Sequence, residues 1–227
     1  MKTSNKLLLG ALVVIFIGIT ALLVSVKVFY NQNVMKGEGK IIRQERTVEQ
    51  FSCIEVKDYA TILITEGDSQ HVAVETNTNL EKLVITETEG NCLNIYTDKP
   101  ISRSFKPKIH IVIDSLRKIT ISGGSDLETV TDISWGTLKL DVSAGADVTL
   151  SGSLKKADIN CSSGAWVNAG NLITDVADIE ASSGGDVEIH VNEELSVSAS
   201  SGSDVIYTGN PRMKQINISS GADLEQK

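Results

Sequence analysis

The residues best placed to do chemistry are five aspartates, Asp126, Asp147, Asp186, Asp204 and Asp223. Each follows a Ser/Gly-rich turn, and Trp166 stands where a further one would fall. Carboxylates stacked about 5 Å apart repel by roughly 0.8 kcal/mol in water and by more in a partly desolvated corner, so something should relieve them. Calcium is one candidate, because hard cations gather carboxylate and carbonyl oxygens. Calcium-binding solenoids carry a glycine-rich turn twice per coil, whereas this chain has one Gly-x-Asp per coil. Each aspartate is therefore expected to accept backbone N–H bonds at its own corner, and no metal or cofactor is expected. Trp166, outward-facing amid Ser and Asp, either covers a neighbouring loop or stacks on a sugar or partner side chain.

No other constellation suggests catalysis. His71, His110 and His190 are scattered over separate strand-like segments, away from any nucleophile arrangement. Serine is abundant, but no G-x-S-x-G elbow occurs between a strand and a helix. No catalytic residue is assigned, and the chain is read as a non-enzyme. A carboxylate pair on a polysaccharide-active β-helix is the rival reading, supported by fold analogy alone.

The elements that must position these residues are written in a repeat. The turns SGGSDLE, SAGADVT, SSGAWVN, SSGGDVE, SSGSDVI and SSGADLE begin at Ser122, Ser143, Ser162, Ser182, Ser200 and Ser219. Around them apolar residues alternate with a period of two, the signature of strands with one buried face. One inward column reads Ile119, Leu140, Ile159, Ile179, Val197, Ile216. The next reads Ile121, Val142, Cys161, Ala181, Ala199, Ile218, and a third, after the turn, Leu127, Val148, Val167, Val187, Val205, Leu224. A unit this small cannot bury its apolar face alone, so coils must stack around one core. The predicted fold is an all-β, right-handed parallel β-helix of six repeats over 119–227. Each repeat is two short strands joined at a corner, with Ser163, Ser183, Ser201 and Ser220 as a hydroxyl ladder. Residues 45–118 lack the turn motif but alternate like strands, and are expected to pair with the first coil as a cap.

Upstream, Leu7 to Val26 is twenty residues without a charge, flanked by Lys2, Lys6 and Lys27. At about 1.5 Å per residue such a helix spans roughly 30 Å, a bilayer core. Residues 1–30 are thus read as an uncleaved membrane anchor through residues 7–26, or a signal segment. Residues 31–44 then form a linker, and the domain at 45–227 lies on the non-cytoplasmic side of the bacterial cell envelope. The net charge of -8 and pI near 4.9 exclude the basic footprint that nucleic-acid binding needs. Cys53, Cys92 and Cys161 have no metal-ligand spacing. They are expected as buried thiols, with a Cys53–Cys92 disulfide as the alternative if the domain is exported.

The opening FSCIEV from Phe51, EGD at Glu66, LNIY at Leu93, the repeated S-x-G-x-D turns and YTGNP from Tyr207 together resemble the head GIN domain family of auto-transporter adhesins. The resemblance covers roughly residues 45 to 227. It implies a β-helix-like domain, export or envelope anchoring and surface interaction, and it brings no catalytic residues. No barrel-forming strand series is expected after Tyr207. The leading expectation is a membrane-anchored envelope domain that binds an unknown protein or glycan partner. A self-associating structural homo-oligomer is the third reading.

Overall fold

A computed structural model describes residues 12–13, 15–23, 25 and 34–227. Residues 12–13, 15–23 and 25 are helical. Among the described residues no helix is long and apolar enough to cross a membrane. The expected span over residues 7–26 is therefore not seen there, and its remaining positions lie outside the described residues. The two compact units are Met1–Met35 and Lys36–Lys227.

The second unit is all β apart from two 3-10 turns. Its strands are β1 (Ile41–Arg46), β2 (Cys53–Val56), β3 (Thr61–Glu66), β4 (His71–Asn77), β5 (Val84–Glu89), β6 (Cys92–Thr97), β7 (Lys108–Ile113), β8 (Lys118–Ile121), β9 (Asp126–Thr129), β10 (Ile133–Val142), β11 (Asp147–Ser162), β12 (Trp166–Ser182), β13 (Asp186–Ser200), β14 (Asp204–Thr208), β15 (Arg212–Ile218) and β16 (Asp223–Gln226). Parallel pairing stacks them into a β-solenoid with two long faces. The first face runs β6, β2, β8, β10, then the C-terminal halves of β11, β12 and β13, then β15. The second runs β7, β3, β9, the N-terminal halves of β11, β12 and β13, then β14 and β16.

The apolar columns stand in the expected register. Ile119, Leu140, Ile159, Ile179, Val197 and Ile216 are successive partners, and all but the last are buried. The repeat is not two short strands, however. β11, β12 and β13 run 15 to 17 residues from one corner to the next, because alternation continues through Leu150, Leu154, Ala169 and Leu172, all buried. Gly152 permits one bend: its φ is +120°, and a Cβ there would lie 2.1 Å from the Ile133 carbonyl oxygen.

The segment before the repeats does pair with the first coil, but not as a simple lid. β2 and β3 add a rung in register with β8 and β9, placing Ile54 on Ile119 and Ile62 on Leu127. β6 and β7, later in sequence, stack on the far side of β2 and β3. Antiparallel strands then close that end, β5 on β6, and β4 on β7 with β1 on β4. Their charged side chains, including Arg43, Glu45, Glu87 and Glu89, suit a solvent-facing edge that must resist further pairing.

Candidate functional site

The Ser/Gly turn fixes the geometry of every corner. In Ser143-Ala144-Gly145-Ala146 the Ala146 N–H bonds the Ser143 carbonyl at 3.2 Å, and both central residues have positive φ, +54° and +69°. This is a type I′ turn. Ser163, Ser183, Ser201 and Ser220 occupy the first central position at φ +53° to +58°, so the expected serine ladder marks left-handed backbone. Corners are joined by backbone bonds: the N–H of Gly124, Gly145, Gly164, Gly184 and Gly202 each donates to a carbonyl of the next rung, Ala144, Ser163, Ser183, Ser201 and Ser220, at 3.1 to 3.2 Å.

The fourth turn position forms a column of small buried residues that the sequence reading passed over: Ser125, Ala146, Ala165, Gly185, Ser203 and Ala222. A Cβ on Gly185 would lie 2.4 Å from the Cys161 carbonyl oxygen. The two serines in it satisfy backbone groups. Ser203 Oγ donates to the Ala181 carbonyl at 3.1 Å and accepts the Ser200 N–H at 3.2 Å, while Ser125 Oγ donates to the Asp58 carbonyl. The signal was present as a run of small residues after each glycine.

The aspartates follow that column and point outward on the second face. Asp126 pairs with Asp147, Asp147 with Trp166, Trp166 with Asp186, and Asp204 with Asp223. Two of the five, Asp126 and Asp186, make side-chain contacts, and neither is a cap on the aspartate's own corner. Lys106 Nζ sits 2.6 Å from Asp126 Oδ2 and donates to the Gly124 carbonyl at 3.0 Å; it lies 4.2 Å from the Tyr59 ring centroid. Asp186 Oδ1 accepts the Asp204 N–H of the next rung at 3.0 Å. Trp166 itself separates Asp147 from Asp186 by two strand spacings, about 9.6 Å, which roughly halves their repulsion. Among the described residues no cluster of three or more His, Cys, Asp or Glu could hold a metal ion.

Trp166 is 44% exposed. Thr149, Asn168 and Glu188 form the adjoining outward row. Trp135, the other tryptophan, is 4% exposed and belongs to the core. Cys161 is also interior: burial pushes its thiol up to about 12, and its Sγ contacts the Ala165 carbonyl at 3.3 Å.

The first face has a different character. Lys156 meets Asp178 at 2.7 Å, Lys118 meets Asp141 at 3.3 Å, and Asn160 bonds Asp141 at 2.8 Å. An open depression of about 280 Å³ lies between Asp178, Glu180, Ser196, Ser198, Lys214 and Asn217. Two acids and a base at one place are what a polysaccharide-cleaving enzyme would use. A general acid must hold its proton near neutral pH, whereas the hydrogen bond from Lys156 holds the Asp178 carboxyl below its usual range. The histidines are committed to cross-strand contacts, His71 to Glu45 at 2.5 Å, His110 to Glu75 at 3.2 Å and His190 to Thr208 at 2.8 Å.

Cys53 and Cys92, expected as thiols or as a pair, form a disulfide between β2 and β6.

Solved structures share this architecture. The chain is similar to a protein of Bacteroides fragilis described as a "putative adhesin", with TM-score 0.70 and 18% identity over 85% of this chain and 100% of that one. A "putative adhesin" of Parabacteroides merdae gives TM-score 0.53 at 16% identity, covering 86% and 99% of the two chains. A "putative lipid binding protein" of Parabacteroides distasonis gives 0.52 at 13% identity, covering 85% and 99%. At these identities the likeness concerns fold. No curated protein matches the sequence. A family model described as "Putative auto-transporter adhesin, head GIN domain" matches residues 50–211, a description of adhesion and not of catalysis. The chain belongs to the head GIN domain family.

Proposed function

We propose that this protein is a non-enzymatic, membrane-anchored domain of the bacterial envelope that binds a glycan on the second face of its solenoid, centred on Trp166. The observation that carries this reading is the half-exposed indole set in register between Asp147 and Asp186, with Asn168 beside it. The apolar face of a pyranose stacks on an indole. Ionised carboxylates only accept hydrogen bonds, so they match the hydroxyl donors around a sugar ring. The acidity of the face favours neutral or amino sugars over anionic polymers.

The twenty-residue apolar run at 7–26 supports anchoring. The Cys53–Cys92 disulfide supports residence in an oxidising compartment outside the cytoplasm. The family's adhesin description supports surface interaction as the purpose.

The test is a glycan array screen with the protein in detergent, followed by titration of each hit against native chain and Trp166→Ala. Neutral or amino-sugar oligosaccharides should bind and shift the exposed indole's fluorescence, and Trp166→Ala should weaken binding at least tenfold. An array without hits, or hits indifferent to Trp166→Ala, would reject the site.

A further inference from the structure

The two ends of the solenoid are finished differently. Beyond β7 and β6 the stack is closed by antiparallel strands with charged side chains. At the other end, among the described residues, β15 pairs only with β13, and β16 only with β14. The inward columns therefore surface there. Met213, Ile216 and Ile218 are 40%, 39% and 37% exposed, while their partners one rung earlier, Leu195, Val197 and Ala199, are buried. Leu224, stacked on the buried Val205, is partly exposed beside them.

This end couples an apolar centre to two strand edges with unspent N–H and C=O groups. The edges differ in charge. β15 carries Arg212 and Lys214, which reach back to Glu194 with their side chains 73% and 62% exposed. β16 carries Asp223 and Glu225.

We propose that the open end is a homodimer interface, in which two copies of this chain meet end to end about a two-fold axis that lays β15 of each against β16 of the other. The Ser219–Ala222 turn, closed by the Ala222 N–H on the Ser219 carbonyl at 3.1 Å, reverses the chain between β15 and β16. An axis along the strands therefore sets each facing pair antiparallel, which suits direct backbone pairing. It places a basic edge against an acidic edge twice, making the surface self-complementary, as a two-fold interface requires. Met213, Ile216, Ile218 and Leu224 form its apolar centre and the charges its rim, the usual anatomy of a stable interface. Because the opposite end is capped, stacking stops at two copies and no fibre grows. The interface lies away from Trp166 and is independent of the glycan reading.

The test is sedimentation equilibrium of the full chain in detergent micelles. The native chain should be a dimer. Arg212→Glu with Lys214→Glu should dissociate it, raising the dissociation constant at least tenfold. Asp223→Lys with Glu225→Lys should do the same. Mixing the two variant chains should restore a heterodimer, since each edge then again meets its opposite charge, and that rescue excludes misfolding as the cause. A native chain that is monomeric at all concentrations overturns the proposal. So does a dimer indifferent to both charge reversals, or a mixture that fails to reassociate.

Discussion

Cys53 and Cys92 stand opposite one another on adjacent parallel strands, although 39 residues separate them in sequence. The register that brings them together also stacks Leu93 on Ile54 and Ile95 on Val56, so the covalent link sits beside a buried apolar column.

Closing a loop of this length removes about 4 kcal/mol of chain entropy from the unfolded state on the usual loop-closure argument, and measured gains are typically about 2–4 kcal/mol. Cys53→Ser with Cys92→Ser should lower stability by that range in urea denaturation while leaving the circular dichroism spectrum unchanged. A loss below about 1 kcal/mol would show that the packed column dominates.

Thiol counting checks the arrangement of the third cysteine. Cys161 is buried, and its raised pKa leaves little thiolate at pH 8. Iodoacetamide should modify no residue in the native protein, one in denaturant and three in denaturant with reductant. Rapid labelling of the native chain would contradict the buried position.

The corners predict opposite effects at neighbouring residues. Ser201 pays a left-handed penalty at φ +58°, and Ser201→Gly should raise stability by a few tenths to about 1 kcal/mol. A Cβ on Gly202, at φ +67°, would meet nothing within 4 Å. Gly202→Ala should therefore cost about 1–2 kcal/mol through backbone conformation alone. Gly185→Ala, where Cβ meets the Cys161 carbonyl oxygen at 2.4 Å, should cost more, through a clash that the stacked rungs cannot relax. Thermal melts of the three variants order the effects, and an unaffected Gly185→Ala would contradict the packing of this column.

The Lys156–Asp178 pair gives a pH signature. Lys156 lowers the pKa of Asp178 in the folded state, so its stabilisation is present above the ordinary carboxylate range of about 4 and is lost as pH falls through the lower folded value. Asp178 raises the pKa of Lys156; that contribution is present below the ordinary lysine range and is lost as pH rises beyond it. The side chains are 44% and 39% exposed, so the effect should stay under about 1 kcal/mol and shrink in salt. Melting curves of native chain and Lys156→Met should differ at pH 7 and converge near pH 2. A difference that persists at pH 2 would point to lost packing of the lysine stem instead.

The repeated half of the fold was legible because its periodicity is chemical. Each inward position is aliphatic or small, and each corner needs residues that tolerate positive φ. Register across β8, β10, β11, β12 and β13 follows directly from aligning the turns. The placement of β6 and β7 outside β2 and β3 was not legible, because FSCIEV and CLNIYT both alternate and nothing local says which lies nearer the repeats. The same is true of the corner contacts. Lys106 reaches Asp126 from a segment 20 residues away that carries no repeat signal. Trp166 was visible as an irregularity in the aspartate series, and the structure adds its exposure and its neighbours.

The order of rungs sets how the chain can assemble and how it can change. Residues 53–66 are made before the strands that flank them on either side. In the finished stack they form the rung from which the solenoid extends in two directions, one closing in antiparallel strands and the other continuing coil after coil. Whole coils inserted or deleted between β9 and β15 would lengthen or shorten the molecule without disturbing either terminus of the stack. Within residues 53–113 the same operation would sever the chain's return path. The distance from the antiparallel-capped end of the stack to its open end is thus an adjustable quantity, tuned one repeat at a time, at roughly 4.8 Å per coil.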